Sequence, residues 1–323
     1  MKQYITFFVT VAAALVLAGC NKGTGAPDSR TITVQASIGS MTKVTYTGDK
    51  SAFAAGDNLA LFAWLGENTA IPATLVVNNV VNTLDAESGL WKPATQMLWD
   101  DMTTPHYFMA VSPAREVASF TADPYTLDPA ADKFQQSDLL IATSLEGLVA
   151  TNNPVKLTFD HAMAMLNVNL SFRNQWTPQA DLPATTNVEA KVDSVFAVAK
   201  KNATIDYINK AVTATGEDVR VPLNKVQNAA WTTLMVPQAG FRTIVIALKG
   251  NDEWLGGNGT YVFTHSADIP LESGKVTTVN LIVGRDQITL DAAEGGITIT
   301  DWAAGSVINN GEAQIPDNNF IEG

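Results

Sequence analysis

The sequence predicts an all-β fold of short strands, on three observations. Its dominant hydropathy period is two, its apolar runs are short and separated by turn residues, and no stretch carries a long helical stripe. Many strands with frequent turns make a β-sandwich architecture. At roughly 100 to 200 residues per domain, the body of the chain amounts to about two domains.

The first strand is Thr31 to Ile38, where Ile32, Val34, Ala36 and Ile38 alternate with Thr31, Thr33, Gln35 and Ser37. Further runs lie at Leu59 to Trp64, Tyr107 to Val111, Leu139 to Ala142, Leu166 to Phe172 and Val192 to Val198. The series continues at Trp231 to Val236, Thr243 to Leu248, Tyr261 to Phe263, Val276 to Val283 and Ile297 to Thr300. Between them stand turn signals such as Thr47-Gly48-Asp49, Ser112-Pro113, Asn152-Asn153-Pro154 and Gly295-Gly296. The turn cluster at Thr151 to Asn153 and the apolar run after it place a division at 31–160 and 161–306, followed by a polar tail or arm over 307–323.

Ahead of the body lies a different kind of sequence. Lys2, the apolar run from Ile5 to Ala18 and the small residues before Cys20 read as an export signal over 1–19. Residues 20–30, with Asn21-Lys22-Gly23-Thr24-Gly25-Ala26-Pro27, read as a flexible tether that reaches roughly 35 Å when extended. Cys20 is the sole cysteine, so the body holds no disulfide, no thiolate metal site and no cysteine nucleophile. No other apolar run approaches the roughly 18 residues of a spanning helix.

Formal charge is −12, or −13 once Lys2 leaves with the signal, and the basic residues are scattered, which speaks against nucleic acid as a partner. Catalytic and cofactor motifs are absent: there is no H-E-x-x-H, G-x-S-x-G, P-loop or calcium loop. His106, His161 and His265 stand far apart, without a ligand-spaced neighbour, and read as structural; neither a metal nor a cofactor is expected. The pairs Asp100-Asp101 and Asp252-Glu253 are the only basis for glycoside hydrolysis, and adjacent carboxylates on a turn are ordinarily just solvated. No enzyme is expected.

Of seven tryptophans, most lie in or beside strand runs, where packing explains them. Trp254 follows Asn251-Asp252-Glu253 and precedes a glycine-rich loop, so it is the candidate ligand contact and supports an alternative reading as a surface glycan-binding lipoprotein. Two sequons, at Asn202 and Asn258, and the short O-glycosylation-like Asp193-Ser194-Val195 are weak signals.

Several pieces, taken in order, resemble one family. Leu17-Ala18-Gly19-Cys20 resembles a lipoprotein lipobox, with Cys20 as the acylated residue; two or more acyl chains anchor stably where one does not. Next come Met41-Thr42-Lys43-Val44-Thr45-Tyr46 and the segment Phe53 to Ala63, which reads F-A-A-G-D-N-L-A-L-F-A. Leu157 to Val168, Ser273 to Leu281 and Ile297 to Trp302 complete the set. Together they resemble the fimbrillins of Bacteroidales, the FimA-like and Mfa-like lipoprotein pilins.

That resemblance implies two transthyretin-like β-sandwich domains in tandem and a subunit of a surface fimbrium serving adhesion and biofilm formation. It implies an outer-membrane lipid anchor, and a partner set of other fimbrial subunits joined by donor-strand exchange, besides a host or bacterial surface ligand. In the family a trypsin-like protease removes the first strand and a neighbour's strand fills the groove. Here the removable strand presents Ile32, Val34 and Ile38, whose burial at roughly 1.5 to 3 kcal/mol each is worth about 5 to 9 kcal/mol. The matching cut site is Lys43, where the family often has arginine, with Arg30 as the alternative. The donor segment from Ala303 to Gly323 alternates poorly and contains Pro316, which favours a tip or minor subunit over a stalk.

Overall fold

The computed structural model describes residues 30–39, 52–66, 75–172, 192–226, 229–248, 259–283 and 288–301, and the backbone of 304–308. In chain order the strands are β1 (Val34–Ile38), β2 (Asn58–Leu65), β3 (Leu75–Leu84), β4 (Trp91–Pro93), β5 (His106–Ser112), β6 (Asp123–Thr126), β7 (Leu140–Leu148), β8 (Val155–His161), β9 (Ala164–Phe172) and β10 (Val192–Ala199). They continue as β11 (Asn202–Asp206), β12 (Ala211–Thr215), β13 (Val219–Lys225), β14 (Ala230–Met235), β15 (Thr243–Leu248), β16 (Thr260–Thr264), β17 (Lys275–Val283), β18 (Ile288–Leu290), β19 (Ile297–Asp301) and β20 (Ala304–Ile308). One α-helical turn, Phe134–Ser137, follows a short 3₁₀ turn at Ala131–Lys133.

These strands form two tandem β units. The first is a seven-stranded sheet in the order β1-β8-β7-β5-β2-β3-β4. The second is a ten-stranded sheet, β16-β15-β10-β13-β14-β9-β17-β19-β20, with β18 paired to β17. β18 also lies against β16, so this sheet curls toward its own edge. A third, three-stranded sheet, β12-β11-β6, takes β6 from the first half and β11 and β12 from the second.

The apolar pattern of each strand follows from what covers it. β2 and β5 are buried on both faces: Leu59, Leu61, Phe108 and Ala110 join a core inside the first unit, while Phe62, Trp64, Met109 and Val111 join a central core. Strands covered on both sides read as continuous apolar runs, as N-L-A-L-F-A-W-L does. β8, V-K-L-T-F-D-H, has one dry face and alternates strictly between buried and exposed. The central core also takes Ile205, Tyr207, Leu234, Val236 and Val276, so the two halves share it.

Three of the segments that carry the family resemblance fall at structural corners. Asp57 accepts the Ala54 N–H at 2.7 Å, and Gly56 holds a φ of 88°, which together turn the chain into β2. Ala162 and Met163 pass the chain from β8 in one sheet to β9 in the next. Gly274, at φ 67°, donates its N–H to the Met163 carbonyl at 2.9 Å and starts β17 beside β9.

The first strand shows the expected alternation, with Ile32 and Val34 buried and Ala36 and Ile38 half-buried. Regular pairing is shorter than Thr31 to Ile38, because Thr31 bridges to Leu98 before the chain bends into β1. The folded body includes Arg30, which lies within the expected tether. β20 carries the second sheet to Ile308, into the expected tail.

Candidate functional site

The first strand closes a seam between two distant parts of the first unit. On one side β1 pairs in parallel with β8, from Val34 opposite Val155 to Ile38 opposite Phe159. Val155 donates its N–H to the Thr33 carbonyl, and Gly39 donates to the Phe159 carbonyl, each at 2.8 Å. On the other side the residues just before β1 run antiparallel to 97–99. Ile32 donates to the Met97 carbonyl and the Arg30 carbonyl accepts from Trp99, both at 2.8 Å. One short strand therefore supplies main-chain partners to two elements that do not otherwise pair.

Packing under the seam is apolar. Ile32 is 1% and Val34 6% exposed, and they share a core with Met97, Trp99, Val155, Leu157 and Phe159. Phe53 covers this core from the turn segment ahead of β2, meeting Trp91 and Phe159 edge-on at ring distances of 5.1 and 5.3 Å. Ile38 is only half-buried, so full burial applies to two side chains where three were expected. At roughly 1.5 to 3 kcal/mol each, the two contribute about 3 to 6 kcal/mol, with Ile38 and Ala36 adding a smaller share. Gly39 lies close to β8, and a Cβ there would meet the Asp160 carboxylate at 3.0 Å.

Arg30 is tied down at the mouth of the seam. Its guanidinium donates to the Trp99 carbonyl at 3.0 Å and to the Asp100 carbonyl. Just beyond, His106 accepts the Asp100 N–H on Nε2 at 3.1 Å and donates from Nδ1 to the Thr104 carbonyl at 2.9 Å, which selects the neutral Nδ1–H tautomer. Asp101 accepts the Thr103 and Thr104 N–H groups at 2.7 and 2.6 Å. Hydrogen bonds from Thr104, side chain first, and from the Thr103 backbone hold its carboxyl below the usual carboxylate range. Asp101 is thus a turn cap.

A second region joins the halves by polar means. Asp123 of β6 accepts from the Tyr207 hydroxyl at 2.8 Å and from the Ala118 N–H at 2.7 Å, and pairs with Arg115 at 3.2 Å. The Arg115 guanidinium also lies 5.1 Å from the centre of the Tyr125 ring. Burial pushes the Tyr207 phenol well above its ordinary range, and the Tyr125 phenol likewise. Nearby, His161 donates from Nδ1 to buried Asp138 at 2.8 Å, binding the end of β8 to the start of β7.

The sequence-derived residues divide cleanly. Arg30, Ile32, Val34 and Ile38 come together at the seam, whereas Cys20, Lys43 and Trp254 lie outside the described residues, as do Asp252 and Glu253. Trp64, Trp91, Trp99 and Trp231 are buried, consistent with packing. Asn202 of the first sequon lies within β11, where its side chain accepts from the Thr126 hydroxyl at 2.9 Å. Met97, Leu98 and Trp99 were missed as partners of the first strand, because they belong to no periodic run and pair through isolated contacts. Among the described residues, no cluster of three or more histidine, cysteine or carboxylate side chains could hold a metal.

The fimbrillin-like family model matches residues 42–302. Two crystal structures share the fold: a candidate cell adhesion protein from Bacteroides uniformis ATCC 8492, 16% identical with a TM-score of 0.59, covering 84% of this chain and 98% of that one. The other, a candidate cell adhesion protein from Bacteroides ovatus ATCC 8483, is 14% identical with a TM-score of 0.58, covering 87% of this chain and 99% of that one. No curated protein matches the sequence. The chain belongs to the fimbrillin-like family and is a non-enzymatic structural protein of the cell-surface fimbrium.

Proposed function

We propose that this chain is a lipid-anchored fimbrial subunit, of tip or minor type, that assembles when its first strand is replaced by a strand from a neighbouring subunit. The observation that carries this reading is the seam. β1 is an edge strand paired with β8 alone, its approach at 30–32 pairs with 97–99, and its underside is apolar with few polar ties, so an incoming strand can recover both its hydrogen bonds and its pockets. In this reading Cys20 holds the unassembled subunit at the outer membrane, and mature fimbriae adhere to a host or bacterial surface. The polar segment after Ile308, with Pro316 interrupting any pairing, supports a terminal position over a repeating stalk position.

Lys43 is the cleavage site in this scheme. It follows β1, so cutting there releases the strand, whereas cutting at Arg30 would release only what precedes it. The contacts of Arg30 support the same choice: a trypsin-like protease must draw the basic side chain into its own pocket, and this guanidinium is engaged by two backbone carbonyls. The test is to cut purified protein at Lys43 and follow assembly on SDS gels. Heat-sensitive but SDS-resistant ladders are expected, and a Lys43→Ala variant stays monomeric. Persistence of a monomer after complete cleavage would overturn the proposal.

A further inference from the structure

The edges of the sheets are protected unequally. β4 is three residues long and carries Lys92 and Pro93, and β6 contains Pro124, each a feature that blocks strand addition. β16 has β18 beside it, and the approach to β1 at 30–32 is paired with 97–99. β12, A-V-T-A-T, differs from β4, β6 and β16. It pairs with β11 on one side, has neither charge nor proline, and no backbone hydrogen bond among the described residues reaches its outer side. Val212 and Ala214 face inward onto the central core, while Ala211, Thr213 and Thr215 are exposed. Such an uncharged, unpaired edge is a template for another strand.

The flanking charges indicate which strand fits. Lys210 precedes β12, and Glu217 and Asp218 follow it. Asp218 is paired with Lys200 and Lys210 with Asp160, whereas exposed Glu217 has no ion pair among the described residues. An antiparallel copy of β12, aligned so that all five residues pair, puts Thr213 on a two-fold axis. That register brings Lys210 of each copy beside Gly216 and Glu217 of the other. Opposite charges then meet at both ends of the junction, and the three-stranded sheets merge into one of six strands.

We propose that β12 is a self-association edge, through which two copies of this chain pair antiparallel about Thr213. Five paired residues bury less than the roughly 1,200 Å² of a standard stable interface, so the contact is weak between free subunits and effective where many copies are held side by side. This inference is independent of strand replacement at β1, which lies on another sheet.

Cysteine trapping tests it, because Cys20 is the sole native thiol. In the full chain carrying Cys20→Ala, Thr213→Cys places two thiols across the axis, with Cβ atoms about 4.5–5.5 Å apart, within small adjustment of disulfide geometry. Disulfide-linked dimer is expected to form at least tenfold faster than with Glu87→Cys, an exposed position in the turn before β4. Glu217→Lys added to the Thr213→Cys chain slows trapping severalfold. Sedimentation of the Cys20→Ala chain shows concentration-dependent dimer, and Thr213→Lys, on an exposed side chain, abolishes it without changing the circular dichroism. Equal trapping rates at 213 and 87, or self-association unaltered by Thr213→Lys, overturns the proposal.

Discussion

The β1 seam and the junction between the halves both join segments far apart in sequence, yet they are built from opposite materials. At the seam, one strand lays Ile32 and Val34 over an apolar bed and is held by main-chain pairing. At the junction, Asp123 gathers Tyr207, Arg115 and the Ala118 N–H into a single polar knot beside a shared core. An apolar bed with main-chain bonds accepts any strand of suitable alternation, whereas a buried charge tolerates only its own partners. In the proposed assembly the chain is exchangeable where an edge strand closes the first unit and committed where the two units meet.

The largest effect should come from breaking the committed region. Asp123→Ala leaves Arg115 without its counter-charge and the Tyr207 hydroxyl without an acceptor, and should cost about 3–5 kcal/mol in urea unfolding. A loss below about 1 kcal/mol would mean that the knot adds little beyond the surrounding core. Ile32→Ala, at the seam, should cost about 3 kcal/mol by cavity formation. Its characteristic consequence is easier displacement: a synthetic peptide spanning 31–38 should exchange into Ile32→Ala protein faster than into the wild type.

Tyr207→Phe removes one hydrogen bond to a carboxylate and should cost about 2 kcal/mol at neutral pH. It also has a signature in alkali. Burial holds the Tyr207 phenol above its ordinary value near 10, so the folded chain keeps a proton that the unfolded chain gives up. The contribution is whole below about pH 10 and declines as pH rises above it, since the unfolded state then binds fewer protons. Unfolding measured from pH 9 to 11 should fall less steeply for Tyr207→Phe than for the wild type. The smallest effect is Ile38→Ala, at about 1 kcal/mol, because that side chain is only half-buried. Equal losses for Ile32→Ala and Ile38→Ala would contradict the uneven seam.

Much of the fold was legible because strands with one dry face must alternate and strands with two must not. β10, β15 and β17 were legible nearly to their ends, and β2 was recognised from its apolar run Leu59 to Trp64. β3 was missed although ten residues long: its V-V-N-N-V-V breaks the alternation at Asn79, whose φ is 51°, where the pairing with β2 shifts register. β11, β12 and β13 were missed because their outer faces are wet and their inner residues small or few, so little hydropathy marks them. At the candidate site, the four residues from the first strand and its approach were found, while their partners at 97–99 were not.

The chain by itself determined its class, its short strands, the two-residue period of the first strand and the order of its family segments, because each is a local consequence of side-chain alternation and turn chemistry. Only the tertiary structure decided that the first strand runs parallel to β8 and is closed from the other side by Met97, Leu98 and Trp99, and that β6 leaves its own half to pair with β11. These are pairings across long sequence separations, made by backbone groups that every residue carries alike. No residue type announces such a partner, and the choice falls to the geometry that closes the most apolar surface while leaving the fewest main-chain groups unpaired.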